Sequence, residues 1–215
     1  MAEYTPKNRR RAKINAENSR GRLLLHICCA PDATIPWPEL IEEKYETTGY
    51  FYGGNIHPRE EYDRRTDSLE KLAREYDTRY ILEEYRPETW FEAVRGLEKE
   101  PERGARCVKC FETQLKSAAK YAKENGYTHL CTTLTISPHK DAKLINDIGA
   151  AEAERQGLIW VEKIWRKKDG FKRSVAKSRE LGLYRQNYCG CTFSENPGEK
   201  KKEEKQMNED KKLPS

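Results

Sequence analysis

Six of the seven cysteines come in three close pairs: Cys28-Cys29, Cys107-x-x-Cys110 and Cys189-x-Cys191. The first pair runs on into Ala30-Pro31-Asp32, which sets a carboxylate three residues after Cys29. That spacing mimics Cys-x-x-Cys with one thiolate replaced by a hard oxygen donor. A structural zinc takes four ligands, and three pairs with an acid exceed that number. The set suits a multi-iron site, such as an iron–sulfur cluster with room for a second metal. Asp32 is a hard ligand and suits a mononuclear iron better than a sulfide cluster. The spacing matches neither standard ferredoxin pattern, so the inference rests on ligand count rather than on a motif. The seventh thiol, Cys131, lies in the stretch His129-Leu130-Cys131-Thr132-Thr133-Leu134 and reads as a buried structural residue of a strand.

Whether such thiols bind metal depends on the compartment. The chain has 215 residues, enough for one domain with a proper core. It has no apolar run of the roughly 20 residues needed to cross a bilayer, and its first twenty residues are polar and basic rather than a secretory signal. The expectation is a cytoplasmic protein without a membrane partner, whose thiols stay reduced and serve as metal ligands rather than disulfides. The net charge is +5. Seven basic side chains against two acids in residues 1–22 account for all of it, and the remaining 193 residues balance. A basic arm of this kind is a candidate phosphate-contacting segment, or a solvated tail.

The three pairs must be brought together by the elements between them. Residues 1–21 show no periodicity and read as a disordered basic arm. From Asn196 onward Lys and Glu dominate with almost no apolar residue, which predicts a disordered tail over 196–215. Between them, residues 22–195 read as a single α/β domain that binds the metal and holds the catalytic site. Arg22–Cys29 is an apolar run suited to a buried parallel strand. A helix follows to about Thr48, then a strand over Gly49–Gly53. A charged helix after His57-Pro58 can place Tyr62, Leu69, Leu72 and Ala73 on one face. Arg79–Tyr85 is a third strand, and Pro87 opens the next helix. Cys107–Cys110 begins or immediately precedes a helix that stops near Gly126. Strands at Thr128–Ile136 and Leu158–Ile164 flank a helix ending at Gly157. A last helix spans Phe171–Leu181, and Leu183–Cys191 returns without regular structure. Alternation of this kind predicts a Rossmann-like three-layer sandwich with a mostly parallel sheet of about five strands.

In such a sheet the reactive crevice lies beyond the carboxyl ends of the strands. Cys28, Cys29 and Asp32 end the first strand there. The start of the Cys107 helix can lie on the same side, with dipoles that favour thiolate. The last helix descends about 16 Å, and the seven residues from Gly182 to Tyr188 can climb back about 23 Å, so all three pairs can converge. Neighbouring residues of a strand point to opposite faces. Cys28 and Cys29 therefore share one site only if the strand ends at them, as Pro31 suggests, or else they serve two adjacent metals.

These residues also carry a resemblance. His26-Ile27-Cys28-Cys29-Ala30-Pro31-Asp32, Asn55-Ile56-His57-Pro58, Trp90-Phe91-Glu92-Ala93-Val94, Gly96-Leu97-Glu98-x-Glu100-Pro101-Glu102 with Gly104-Ala105-Arg106-Cys107-x-x-Cys110-Phe111, Thr132-Thr133-Leu134 with Ser137-Pro138, and Leu183-Tyr184-Arg185-Gln186-x-Tyr188-Cys189-Gly190-Cys191 together resemble the QueH family of cobalamin-independent tRNA epoxyqueuosine reductases. The resemblance covers about residues 22–194, in the family's order. Gly53-Gly54 departs from it, since the family usually reads Asn-Pro there. Membership would imply a [4Fe-4S] cluster beside a single iron, held by the paired cysteines and Asp32. It would also imply an oxidoreductase that converts epoxyqueuosine to queuosine on the wobble nucleoside of tRNA, fed by an external electron donor.

The residues read on their own agree with that chemistry. Turning an epoxide into an alkene consumes two electrons and two protons, which a cluster and a Lewis-acidic iron can support. Asp32 and Tyr188 are the candidate catalytic residues, Tyr188 as a proton donor beside the last pair. His57 and His139, in loops on the reactive side, are further proton-donor candidates, whereas His26 reads as core. Lys140, Arg106 and Arg185 are candidates for tRNA phosphate. Two other readings use the same thiols. A zinc-stabilised RNA-binding module would employ four of the six paired cysteines. An iron–sulfur tRNA-thiolating ATPase would need a glycine-rich phosphate loop after the first strand, where this chain has Cys-Cys-Ala-Pro-Asp.

Overall fold

A strand buried at every position must be covered on both faces, and Leu23–Ile27 is buried throughout. In the computed structural model of the chain this strand is the centre of a six-stranded sheet. The structure describes residues 2–4 and 18–194. Most of the expected arm and the whole expected tail lie outside the described residues.

The elements run β1 (Ala2–Tyr4), β2 (Gly21–Ile27), α1 (Ala30–Ala33), α2 (Pro36–Glu42), β3 (Tyr45–Phe51), α3 (Arg59–Glu75), β4 (Arg79–Leu82), α4 (Pro87–Ala93), α5 (Ala105–Glu124), β5 (His129–Thr132), α6 (Ala142–Arg155), β6 (Ile159–Trp160) and α7 (Gly170–Glu180). The strand order is β1-β4-β3-β2-β5-β6. All pairings are parallel except β1 on β4, which is antiparallel. Alternate residues of the strands feed two cores. Leu23, Leu25 and Ile27 pack with Trp37, Leu69 and Leu72 on one face. Leu24, Tyr50 and Leu130 pack with Trp90, Ala118 and Ala122 on the other. The result is the expected three-layer α/β sandwich, with α1, α2 and α3 on one side and α4, α5 and α6 on the other.

Four local expectations are corrected. The helix expected to reach Thr48 stops at Glu42, because Lys44 takes a left-handed conformation (φ 72°) and the aromatic and β-branched run Tyr45–Phe51 joins the sheet. The strand expected over 128–136 ends at Thr132, whose hydroxyl accepts from the Leu134 amide (3.2 Å) and starts a short 3₁₀ turn. The last parallel strand is only Ile159–Trp160. The sixth strand comes from residues 2–4 of the expected arm, where Tyr4 stacks on Tyr80 and the Arg79 guanidinium pairs with Glu3. As read from the sequence, Pro87 opens α4, and Tyr62, Leu69, Leu72 and Ala73 are all buried on α3.

Candidate metal centre and catalytic pocket

From β2 the chain steps outward through β3 to β4, then returns to the other side of β2 as β5. The crevice beyond the carboxyl ends of β2 and β5 is therefore the switch point of the sheet, where this fold class binds its ligands. A cavity of about 460 Å³ opens there, walled by Cys28, Asp32, Cys107, Cys110, Cys189 and Cys191. Cys29 is fully buried, and its Sγ, the Cys28 Sγ and an Asp32 carboxylate oxygen lie within 4.8 Å of one another. Five of the six paired cysteines thus line one pocket, Cys29 lies just behind Cys28, and all seven thiols are free. A larger groove beside α5, about 640 Å³, contains none of the cysteines.

The first pair shares a site because β2 ends at Ile27. Cys29 is extended (φ −166°, ψ 156°) at the N-cap position of α1, and Pro31 sits in the first turn of that short helix, which swings Asp32 back toward Cys28. The Cys28 thiol donates to Asp32 Oδ2 at 3.4 Å, and the Thr133 hydroxyl lies 3.5 Å from the same sulfur. Burial forces this pair to share protons unequally. Contact with Cys29 pulls the Cys28 thiol below its ordinary pKa, and burial pushes Cys29 well above it.

The second pair occupies the first turns of α5. Cys107 Sγ accepts the Arg103 amide (3.2 Å). Cys110 Sγ accepts both the Trp90 indole N–H (3.2 Å) and the Gln114 side-chain amide (3.1 Å). The sequence reading expected the helix start to favour thiolate here. Burial instead dominates, raising Cys107 and pushing Cys110 up to about 12 in the metal-free chain. Two N–H donors aimed at one buried sulfur are what a thiolate ligand requires once a cation displaces the proton.

The third pair sits on the irregular segment after α7, held by side chains from elsewhere. Arg65 of α3, only 2% exposed, donates to the Tyr188 and Cys189 carbonyls (both 3.1 Å) and pairs with Glu61 at 2.8 Å. Glu61 in turn accepts from the Tyr184 hydroxyl (2.7 Å). The His57 amide donates to the Gly190 carbonyl at 2.8 Å. Gly190 has φ 104°, and a Cβ there would meet the Arg65 guanidinium at 3.1 Å, so the turn between the cysteines needs glycine. The Cys191 amide points at Cys189 Sγ (3.4 Å). Contact with Cys191 holds the Cys189 thiol down at about 5, and the same contact raises Cys191.

The remaining candidates divide. Tyr188 lines the cavity, its hydroxyl donating to the His57 carbonyl and its ring facing Arg65. His139 lines the cavity with Arg103 3.4 Å away, whereas His57 does not line it. The His57 ring packs on Trp90 and Phe91, burial holds its pKa down near 4, and its Nε2 finds no partner among the described residues. His26 is core, as expected, with Nδ1 2.9 Å from the Thr132 hydroxyl. Lys140 faces into the pocket: burial opposes its charge, but Cys28, Asp32, Cys29 and Cys189 hold it protonated above the ordinary lysine range. Arg106 is corrected. It is 2% exposed and donates to the carbonyls of Glu98, Glu100 and Phe193, bracing both ends of the pocket wall rather than meeting phosphate. Cys131 is buried in β5 and does not line the cavity. Sequence reasoning missed Gln114 as part of this wall and Arg65 as the group that holds the last segment, and it took Lys140 for a phosphate contact rather than a pocket residue. Gln114 was findable, one helical turn after Cys110 on the same face.

Fold and pocket together define a class: Rossmann-like α/β proteins that gather free thiols and a carboxylate at the switch point of a parallel sheet. A profile for the epoxyqueuosine reductase QueH matches residues 23–197. Proteins named epoxyqueuosine reductase QueH are 36% identical in Haemophilus influenzae (90% of this chain, 80% of that one) and 34% identical in Thermotoga maritima (81% and 90%). The chain belongs to the epoxyqueuosine reductase QueH family, a family of oxidoreductases. Among solved structures, the U34-tRNA thiolase NcsA from Methanococcus maripaludis with its [4Fe-4S] cluster superposes with a TM-score of 0.53 at 14% identity, covering 91% of this chain and 68% of that one. That likeness is one of fold. Among the described residues no helix is long and apolar enough to cross a membrane.

Proposed function

We propose that this pocket reduces epoxyqueuosine to queuosine on the wobble nucleoside of tRNA, using a [4Fe-4S] cluster, an adjacent mononuclear iron and an external electron donor. The observation that carries the reading is a pocket at the sheet's switch point lined by five thiols and Asp32, with Cys29 beside Cys28, in a chain of a reductase family. The donor set fits the cofactors: four sulfurs on α5 and the last segment, and a compact two-sulfur, one-oxygen group at the end of β2. When bound, the metals supply single electrons and a Lewis acid for the epoxide oxygen. The chain's own residues supply the rest. Asp32 provides the one hard donor, which assigns it to the single iron. Loss of the oxygen as water takes two protons. Lys140 Nζ holds one inside the pocket, and the Tyr188 hydroxyl is a second proton-bearing group on its wall. In this reading residues 22–195 form the single metal-binding catalytic domain.

Anaerobic purification followed by iron and sulfide analysis, an EPR spectrum of the reduced protein, and turnover of tRNA bearing epoxyqueuosine test this together. Iron with sulfide and loss of one oxygen from the nucleoside are expected. Zinc alone, with RNA binding and no turnover, would replace the reading with the zinc-stabilised module. The thiolase shares the fold, but the loop after β2 here has no glycine. ATP binding in a nucleotide titration would revive that alternative.

A further inference from the structure

Basic residues are concentrated in a second place besides the N-terminal arm. Residues 163–186 hold nine basic side chains and two acids, whereas outside this segment and residues 1–22 acids outnumber bases by seven. The segment surrounds α7, and it touches the pocket directly. Phe171 and Arg185 line the cavity, and α7 packs against α1, which carries Asp32. Arg166 donates to the carbonyls of Ser137 (3.2 Å) and Lys140 (2.7 Å), tying the segment to the loop after β5. Lys167, Lys168, Lys172, Arg173 and Arg179 are exposed.

The acids facing these groups are few and exchangeable. Lys172 pairs with Asp169 at 3.3 Å, Arg173 with Glu39 at 2.9 Å and Lys177 with Glu180 at 2.6 Å, all with exposed or half-exposed side chains. Pairs of that kind contribute about 0–1 kcal/mol and give way readily to a polyanion. Lys167, Lys168 and Arg179 have no ion pair among the described residues. The larger groove beside α5 presents Lys109, Lys116, Lys120 and Arg155, but with Glu112 and Glu152 among them and in the opposite layer. Lys109 and Arg155 are already paired within that groove.

We infer that the exposed face of the α7 segment is the docking surface for the sugar–phosphate backbone of the tRNA anticodon arm. The inference rests on the reductase reading, which requires one nucleoside to reach the pocket while the phosphates around it lie on adjoining surface. The layer that adjoins the pocket through Phe171 and Arg185 is the one with unopposed positive charge.

The test uses the full-length, metal-loaded protein and an RNA anticodon stem-loop, with affinity measured by fluorescence anisotropy across a salt series. Replacing Lys167, Lys168 and Lys172 together by Ala removes three exposed cations that do not line the cavity. The log–log salt slope should fall by about 2–3 units, at roughly 0.7–0.9 per phosphate contact. Iron content, the thermal melt and reduction of the free epoxyqueuosine nucleoside should not change. The matched pair Lys116→Ala and Lys120→Ala on α5 should leave the slope intact. An unchanged slope in the α7 variant, a loss confined to the α5 variant, or a flat salt dependence in the unmodified protein would overturn the inference. The two readings fail separately. A steep slope that the α7 variant flattens, without epoxide reduction, removes the reductase reading and keeps the surface. Reduction of tRNA with an unaltered slope in the α7 variant removes the surface and keeps the reductase.

Discussion

The two ends of the pocket are built in opposite ways. Cys28, Cys29 and Asp32 are placed mainly by main-chain geometry: a central strand stops, one residue is extended, and a single turn carrying Pro31 folds the carboxylate back, with the Thr133 hydroxyl accepting the Cys28 amide. Cys189 and Cys191 lie on a segment without helix or strand, and buried arginines from two distant helices hold its carbonyls. The first device is largely local to the end of one strand, with one added contact from Thr133. The second is a long-range clamp, in which a charged side chain replaces the missing ladder of backbone hydrogen bonds. A ligand set built this way has one rigid half and one half whose placement depends on a buried ion pair.

The largest expected effect falls on the rigid half. Asp32→Ala should reduce turnover to background while most of the cluster absorbance survives, because the change removes the hard donor and leaves every sulfur in place. Disappearance of the whole cluster would detach Asp32 from a separate iron and make both halves a single unit. Cys110→Ala should come next. It deletes a buried sulfur that accepts two N–H groups, and bound iron should fall, whereas Cys131→Ala should leave iron unchanged. Equal iron loss in both variants would mean that core disruption, not ligation, is being read.

The clamp itself is tested by Arg65→Met. It strands Glu61, which is 3% exposed, without its partner. Removing one member of a buried pair destabilises by about 3–5 kcal/mol. Chemical denaturation should show that loss. Limited proteolysis of the metal-free protein should cut first within residues 183–194, ahead of the loop at 28–34. Arg65→Lys keeps the charge but loses the forked contact, so it should recover stability only in part. Equal protection of the two regions in Arg65→Met would show that the last segment is held by packing and that the contrast between the halves is false.

How much of this was legible follows the same contrast. The strand-to-turn end at Cys28–Asp32 could be read directly, since an apolar run ending in Cys-Cys-Ala-Pro-Asp carries its own geometry. The layer order, the α3 face and the Pro87 start were equally local signals. The convergence of the third pair could be shown only to be possible, by chain length. What holds it there, Arg65 reaching across to Tyr188 and Cys189, is a contact between residues 123 and 124 positions apart, and no spacing announces it. Arg106 looked like a phosphate contact for the same reason. The error at β3 was of another kind. A helix before β3 was expected, but nothing in Glu42-Glu43-Lys44 marked its end, because Lys44 supplies the left-handed turn usually left to glycine. Charge was misjudged by averaging. A balanced total over 193 residues concealed the basic segment around α7.

The smallest expected effect concerns the N-terminal arm, where the two kinds of construction meet. Deleting residues 1–20 removes six of its seven basic groups and spares Arg22. It also removes β1, with the Tyr4–Tyr80 stack at 5.5 Å and the Glu3–Arg79 pair. An aromatic pair contributes about 0.5–1.5 kcal/mol and an exposed ion pair about 0–1, so stability should drop by about 1–2 kcal/mol. For a chain of this length that is a few degrees in the thermal melt, at about 2–4 °C per kcal/mol. Metal content should not change, because no paired cysteine lies in the deleted stretch. Any phosphate contact made by the arm would flatten the salt dependence of tRNA affinity by about 0.7–0.9 log units per contact. A truncated protein with unaltered affinity and salt slope but a lower melting temperature would make residues 2–4 a structural edge strand and the basic run after them a solvated tail.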